Sequence, residues 1–172
     1  HLLLLADPDT QTGLEPLLAR WGIGLGPGVL VDLQDRLAQG DLTALLVRTF
    51  TEHEITQDLT SAVLLPLSRH LTFDEQTGTD WDFVPLARTS PNSWAETNMQ
   101  GRVVSLSEKE DVKGPLPMAA ALSPKKAPEE GKPHPAIVVI GNSTFASNAF
   151  FNFPGNSDFF LHTAAWLAEE RN

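Results

Sequence analysis

The chain has 172 residues, 12 Lys and Arg against 22 Asp and Glu, a formal net charge of -10, and neither Cys nor Tyr. Without Cys there is no disulfide framework, thiolate metal site or cysteine nucleophile, and the acidic balance works against a phosphate backbone, which argues against nucleic acid as a partner. No run approaches the ~18 apolar residues of a membrane-spanning helix, while a 41% hydrophobic content is that of a folded chain.

Leu2-Leu3-Leu4-Leu5-Ala6 reads as a strand buried on both faces, because its apolar residues run continuously instead of alternating. A chain that opens inside such a strand is expected to be a fragment of a longer one. Asp7-Pro8-Asp9-Thr10 is turn chemistry. Leu14, Leu17, Leu18 and Trp21 then recur at helical spacing and predict a helix over 12–21. Thr12 and Glu15 have capping-box spacing, Pro16 suits a first turn, and Gly22 stands where a helix C-terminus favours glycine. The glycine-rich run Gly22–Gly28 lacks the G-x-G-x-x-G spacing, has no G-K-[ST], and follows a helix instead of opening one. It therefore reads as a helix-to-strand connection, leading into a short strand over Val29–Asp32.

From 41 to 122 the character changes. Short β-leaning runs at 43–50, 62–67, 81–88, 102–106 and 116–122 predict strands, several antiparallel, with Pro66 and Pro85 at edges or bulges. Residues 123–135 hold four prolines and predict an exposed, mobile loop. Ala136–Ile140 is a second continuous apolar strand, ending in Gly141-Asn142-Ser143. A final helix is predicted over 157–170, capped by Asn156 or Ser157, with Asp158 favourable to its dipole. Strand–loop–helix units at both ends predict one α/β domain over 1–172: a central, mostly parallel sheet with flanking helices and an irregular antiparallel β middle section.

In open α/β sheets ligands bind at the C-terminal ends of the strands, which makes Gly141-Asn142-Ser143 the first candidate site. A nucleophile elbow needs G-x-S-x-G, and Phe145 occupies the last position. A triad of Ser143, His162 and Asp158 can be drawn, but nothing in the spacing makes the three converge. The five histidines show no H-x-x-x-H or H-E-x-x-H spacing, so no metal or other cofactor is expected. Glu108–Asp111 and Glu129-Glu130 read as solvated charges or a charged face for a partner. The cluster Phe145, Phe150, Phe151, Phe153, Phe159, Phe160 and Trp166 reads as packing, or, if Phe150-Phe151-Phe153 is partly exposed, as an interface.

The C-terminal stretch Ile137-Val138-Val139-Ile140-Gly141-Asn142-Ser143-Thr144-Phe145-Ala146-Ser147-Asn148-Ala149-Phe150, with Gly155-Asn156-Ser157-Asp158-Phe159-Phe160 and Trp166-Leu167-Ala168, resembles one family. It is the extracytoplasmic auxiliary component of ABC-type transport systems, associated with gliding motility. The shared pattern is a strand followed by G-D-S-x-F-A-S-N, then G-N-x-D-x-F, then a helix with W-L-A. Gly13-Leu14 to Trp21-Gly22-Ile23, Val31-Asp32, His53-Glu54-Ile55-Thr56 and Lys113-Gly114-Pro115-Leu116 also fit, so the resemblance covers nearly the whole chain. Three positions depart from it: Asn142 stands where Asp is usual, Thr144 where a second acid is frequent, and Glu54 where Pro is common. Any cation or sugar role of those acids in relatives is thereby in doubt here, whereas a capping role survives, because Asn accepts the same backbone hydrogen bonds.

The resemblance implies a non-catalytic sandwich like the class I glutamine amidotransferases or flavodoxins. It also implies a periplasmic location, membrane attachment through segments outside these residues, and the permease and ATPase subunits of the same system as partners. Asn142, Ser143, Asn148, Asn156 and Asp158 are the expected ligand- or partner-binding residues, organising the C-terminal edge of the sheet. Two other readings stay open: a serine hydrolase or amidase using Ser143, and a carbohydrate-binding module using Trp81 and Trp94.

Overall fold

The computed structural model describes residues 1–37, 41–99, 104–126 and 135–169. Among them the chain forms, in order, β1 (Leu2–Leu5), α1 (Glu15–Ala19), β2 (Ile23–Leu25), β3 (Val29–Asp32), β4 (Ala44–Val47), β5 (Val63–Pro66), β6 (Leu71–Phe73), β7 (Trp81–Arg88), β8 (Ser93–Glu96), β9 (Val112–Lys113), β10 (Pro117–Pro124), β11 (Ile137–Ile140), a 3-10 turn over Thr144–Ala146, and α2 (Asn156–Leu167).

The largest sheet has the order β1-β11-β10-β7. Its two continuous apolar strands lie side by side and parallel, Leu2 opposite Ile137 and Leu5 opposite Ile140. The remaining pairs in this sheet, β11 with β10 and β10 with β7, are antiparallel. Three smaller antiparallel assemblies complete the fold: β2 with β6, β4 with β5, and β3-β8-β9.

The expected central, mostly parallel sheet flanked by helices is therefore corrected. The molecule is mostly β, its sheets are mixed or antiparallel, and the described residues hold two α-helices, so it is not an amidotransferase-like or flavodoxin-like α/β sandwich. A parallel neighbour needs a crossover, usually through a helix. Here β10 precedes β11 and reaches it antiparallel through the proline-rich segment, while the chain leaving β1 and α1 enters β2, in another sheet. α1 covers only five of the residues predicted helical. The run at 102–106 is not a strand where it is described, over 104–106, and the center of the proline-rich loop, residues 127–134, lies outside the described residues.

Burial on both faces explains the continuous apolar run of β11, while β1, at the edge of the sheet, is only half-buried, with Leu3 and Leu5 against one cluster and Leu2 and Leu4 against the other. Val138 and Ile140 face one cluster with Ala119, Ala121, Phe145, Phe159 and Leu167. Ile137 and Val139 face another with Ala120, Leu122, Leu18, Ile23 and Leu71. One cover thus draws on α2 and the 3-10 turn, the other on α1 and the β2–β6 ribbon. Pro85 lies on β7, an edge strand of this sheet, where its missing N–H breaks no ladder.

Candidate functional site

Parallel pairing brings the C-terminal ends of β1 and β11 together, and with them Asp7 and Ser143. The Asp7 carboxylate accepts the Ser143 amide at 2.6 Å and also the Ser143 hydroxyl. One oxygen serves each donor, so the side chain closes the corner between two strands 136 residues apart in sequence.

Asn142 is fully buried. Its amide nitrogen donates to the Pro66 carbonyl, and its oxygen accepts the Phe145 amide at 2.8 Å, capping the 3-10 turn. Asn156, also fully buried, is the first residue of α2; the expected cap by Asn156 or Ser157 is corrected, because Gly155 occupies the cap position at φ 90° and no side chain caps the helix. The Asn156 oxygen accepts the Leu64 amide at 2.8 Å and its nitrogen donates to the carbonyls of Leu64, Phe145 and Phe150 at 3.0–3.2 Å. The side chain thus ties β5 to the segment between β11 and α2.

Arg69, only 8% exposed, braces the same corner. Its guanidinium donates to the carbonyls of Asp7 and Thr10 at 3.1 Å, Gly26 at 3.0 Å and Leu25 at 3.2 Å, and its own amide donates to Gly141 at 2.8 Å. Among the described residues it makes no ion pair with a carboxylate. Burial pulls its pKa below the ordinary arginine value, against the opposing pull of Asp9 and Glu15. Carbonyl dipoles take the place of a counter-ion, which the five-donor fork of arginine makes possible.

Of the five residues expected at this edge, the structure brings Asn142 and Ser143 together and connects Asn156 to them through Phe145. Asn148 and Asp158 are exposed, Asp158 in the first turn of α2. Asp7 and Arg69 carry as much of the corner and were not singled out from the sequence. Asp7 did carry a signal, because it directly follows an apolar strand, as Asn142 and Ser143 do. Arg69 had none, since its partners come from four separate residues of remote segments.

Ser143 does not meet a histidine in the described hydrogen bonding. The His162 ring instead contacts the Ile55 carbonyl at 3.2 Å. Nor do the tryptophans form a flat exposed platform: Trp94 is 5% exposed with its indole N–H on Glu96, and Trp81 is tilted 57° against Trp21. No three His, Asp or Glu side chains among the described residues gather as a metal site.

A family model described as ABC-type uncharacterized transport system matches residues 4–163, and the chain belongs to this family of transport auxiliary components. No curated protein matches. A solved structure, the mmIFT52 N-terminal domain, is similar in fold, with a TM-score of 0.64 at 15% identity over 99% of this chain. The chain spans 65% of the length of that relative.

Proposed function

We propose that the chain is a non-catalytic binding domain of an ABC-type transport system, working on the periplasmic side and assembling with the permease and ATPase of that system. Membership of the family supports the transport assignment. The observation that carries the non-catalytic reading is the Asp7–Ser143 corner. The serine hydroxyl donates to a carboxylate that also holds the Ser143 amide, so this serine pins two strands. A serine nucleophile needs instead a base whose orientation is set by a third group. Asn142, Asn156 and Arg69 likewise spend their side chains on backbone groups, which makes the strand-end corner a rigid base for the exposed surface around it, including Asn148 and Asp158.

The test is affinity purification of the tagged full-length protein from membranes that also contain the permease and ATPase, for wild type and Ser143→Ala. Both should recover the transporter subunits, and both should support transport once Ser143→Ala is shown to be folded. Failure of the wild type to recover either subunit overturns the assembly. Full assembly with transport abolished in Ser143→Ala overturns the non-catalytic reading. A role in gliding motility is the narrower form of this proposal, read out by surface spreading of cells lacking the protein.

A further inference from the structure

In a chain with a net charge of -10, two arginines share one cleft. Arg48 and Arg88 line a depression of ≈ 310 Å³ together with Asp35, Thr49, Thr51 and Ser90. That volume is at the small end of the ~300–1,000 Å³ typical of small-molecule sites.

The walls are fixed by the backbone. Phe50 bridges Ala87 antiparallel, the Thr51 amide donates to the Leu86 carbonyl at 3.1 Å, and its hydroxyl donates to Pro85 at 2.5 Å. The two arginines therefore come from adjacent antiparallel segments. Behind the opposite wall lies Asp32, fully buried. Its carboxylate accepts the amides of Gln34, Asp35 and Ser90 and the Ser90 hydroxyl, all at 2.7–2.9 Å. These bonds tie the segment after β3 to the corner after β7.

The charges inside the cleft do not balance. Asp35 is the one acid among its described lining residues and stands 3.6 Å from Arg48, with both side chains well exposed, a geometry that holds weakly. Burial and the neighbouring Asp32 push the Asp35 carboxyl above its usual range, with Arg48 opposing. Arg88 is exposed and has no ion pair among the described residues. Two guanidiniums on one small cleft suit an anion with several oxygens, because each offers parallel N–H donors to a pair of carboxylate or phosphate oxygens.

We infer that the Arg48–Arg88 cleft binds a small free oxyanion, a polycarboxylate or phosphate, which displaces Asp35 from Arg48 and bridges to Arg88. This site is separate from the strand-end corner and does not depend on the assembly proposed above. The experiment is calorimetric titration of the protein with citrate, malonate and inorganic phosphate, each against potassium chloride at equal ionic strength. At least one of the three should bind saturably. Arg48→Gln and Arg88→Gln should each weaken that binding by roughly tenfold or more, the loss of a charge-assisted contact. Asp35→Asn should strengthen it by removing the competing carboxylate. Thermal melts matched to wild type show that the variants are folded. No saturable response to any of the three anions overturns the inference, as does binding that both arginine variants leave unchanged.

Discussion

A primary amide offers two N–H donors and an acceptor oxygen, and at Asn156 both halves are used on a buried backbone. The Leu64 amide and carbonyl are paired by this one side chain as they would be by a neighbouring strand. Asn156→Ala strands those groups away from water and should cost about 2–3 kcal/mol in urea unfolding. His70 is the opposite case at the same scale. Its ring is 2% exposed and its Nδ1 has no hydrogen-bond partner among the described residues. Burial first, and the charge of Arg69 second, lower its pKa from 6.5. The unfolded chain therefore binds a proton that the folded chain resists, so stability is full above pH 6.5 and falls from there toward the depressed folded value. His53 acts with the same sign through burial, opposed by Glu54. Urea midpoints at about pH 8 and about pH 5.5 should drop more for wild type than for His70→Gln; equal drops would remove His70 from the account.

At the scale of elements, backbone proximity decides what glycine does. A Cβ on Gly141 would lie 2.1 Å from the Arg69 carbonyl oxygen, because the Arg69 amide already bonds Gly141. Gly13 has φ +74° but nothing within 4 Å. Gly13→Ala should cost only the left-handed backbone strain, about 1 kcal/mol. Gly141→Ala must push β11 away from Arg69 and should lower the melting temperature further; equal losses would show that the contact yields easily. Much of this level was legible in sequence. The apolar runs located β4, β5, β7 and β10, and the Thr12–Glu15 spacing is used: the Thr12 amide donates to Glu15 at 2.7 Å and the Leu14 amide to Thr12 at 3.1 Å. β2, which falls inside the run read as a connection, and β6, β8 and β9 were not legible. They are short and mixed in character, and pairing, β2 with β6, β8 with β3 and β9 with β8, is what makes them strands.

The whole molecule is organised by the β1–β11 pair, which joins the two ends of the described chain in one sheet with a hydrophobic cluster on each face. The strand-end site exists only because of that pairing. Asn142 and Ser143 could be picked out by their place after a strand, but the partner of Ser143 is Asp7, and the partner of Asn156 is Leu64, 92 residues away. The Arg48–Arg88 cleft is equally a product of long-range pairing, between Phe50 in the segment after β4 and Ala87 near the end of β7.

The sequence by itself determined where the two continuous apolar strands lie, where the chain turns, and that polar residues follow those strands. These follow from apolar continuity and turn chemistry, both local properties of a few adjacent residues. Only the tertiary structure decided strand order and direction, and so replaced the expected parallel α/β sandwich with mixed and antiparallel sheets. The physical reason is that periodicity reports which face of a strand is buried, but not which strand lies beside it. A continuous apolar strand satisfies its backbone equally with a parallel or an antiparallel neighbour, and the choice falls to the connections and to contacts such as Asp7–Ser143 that no local pattern encodes.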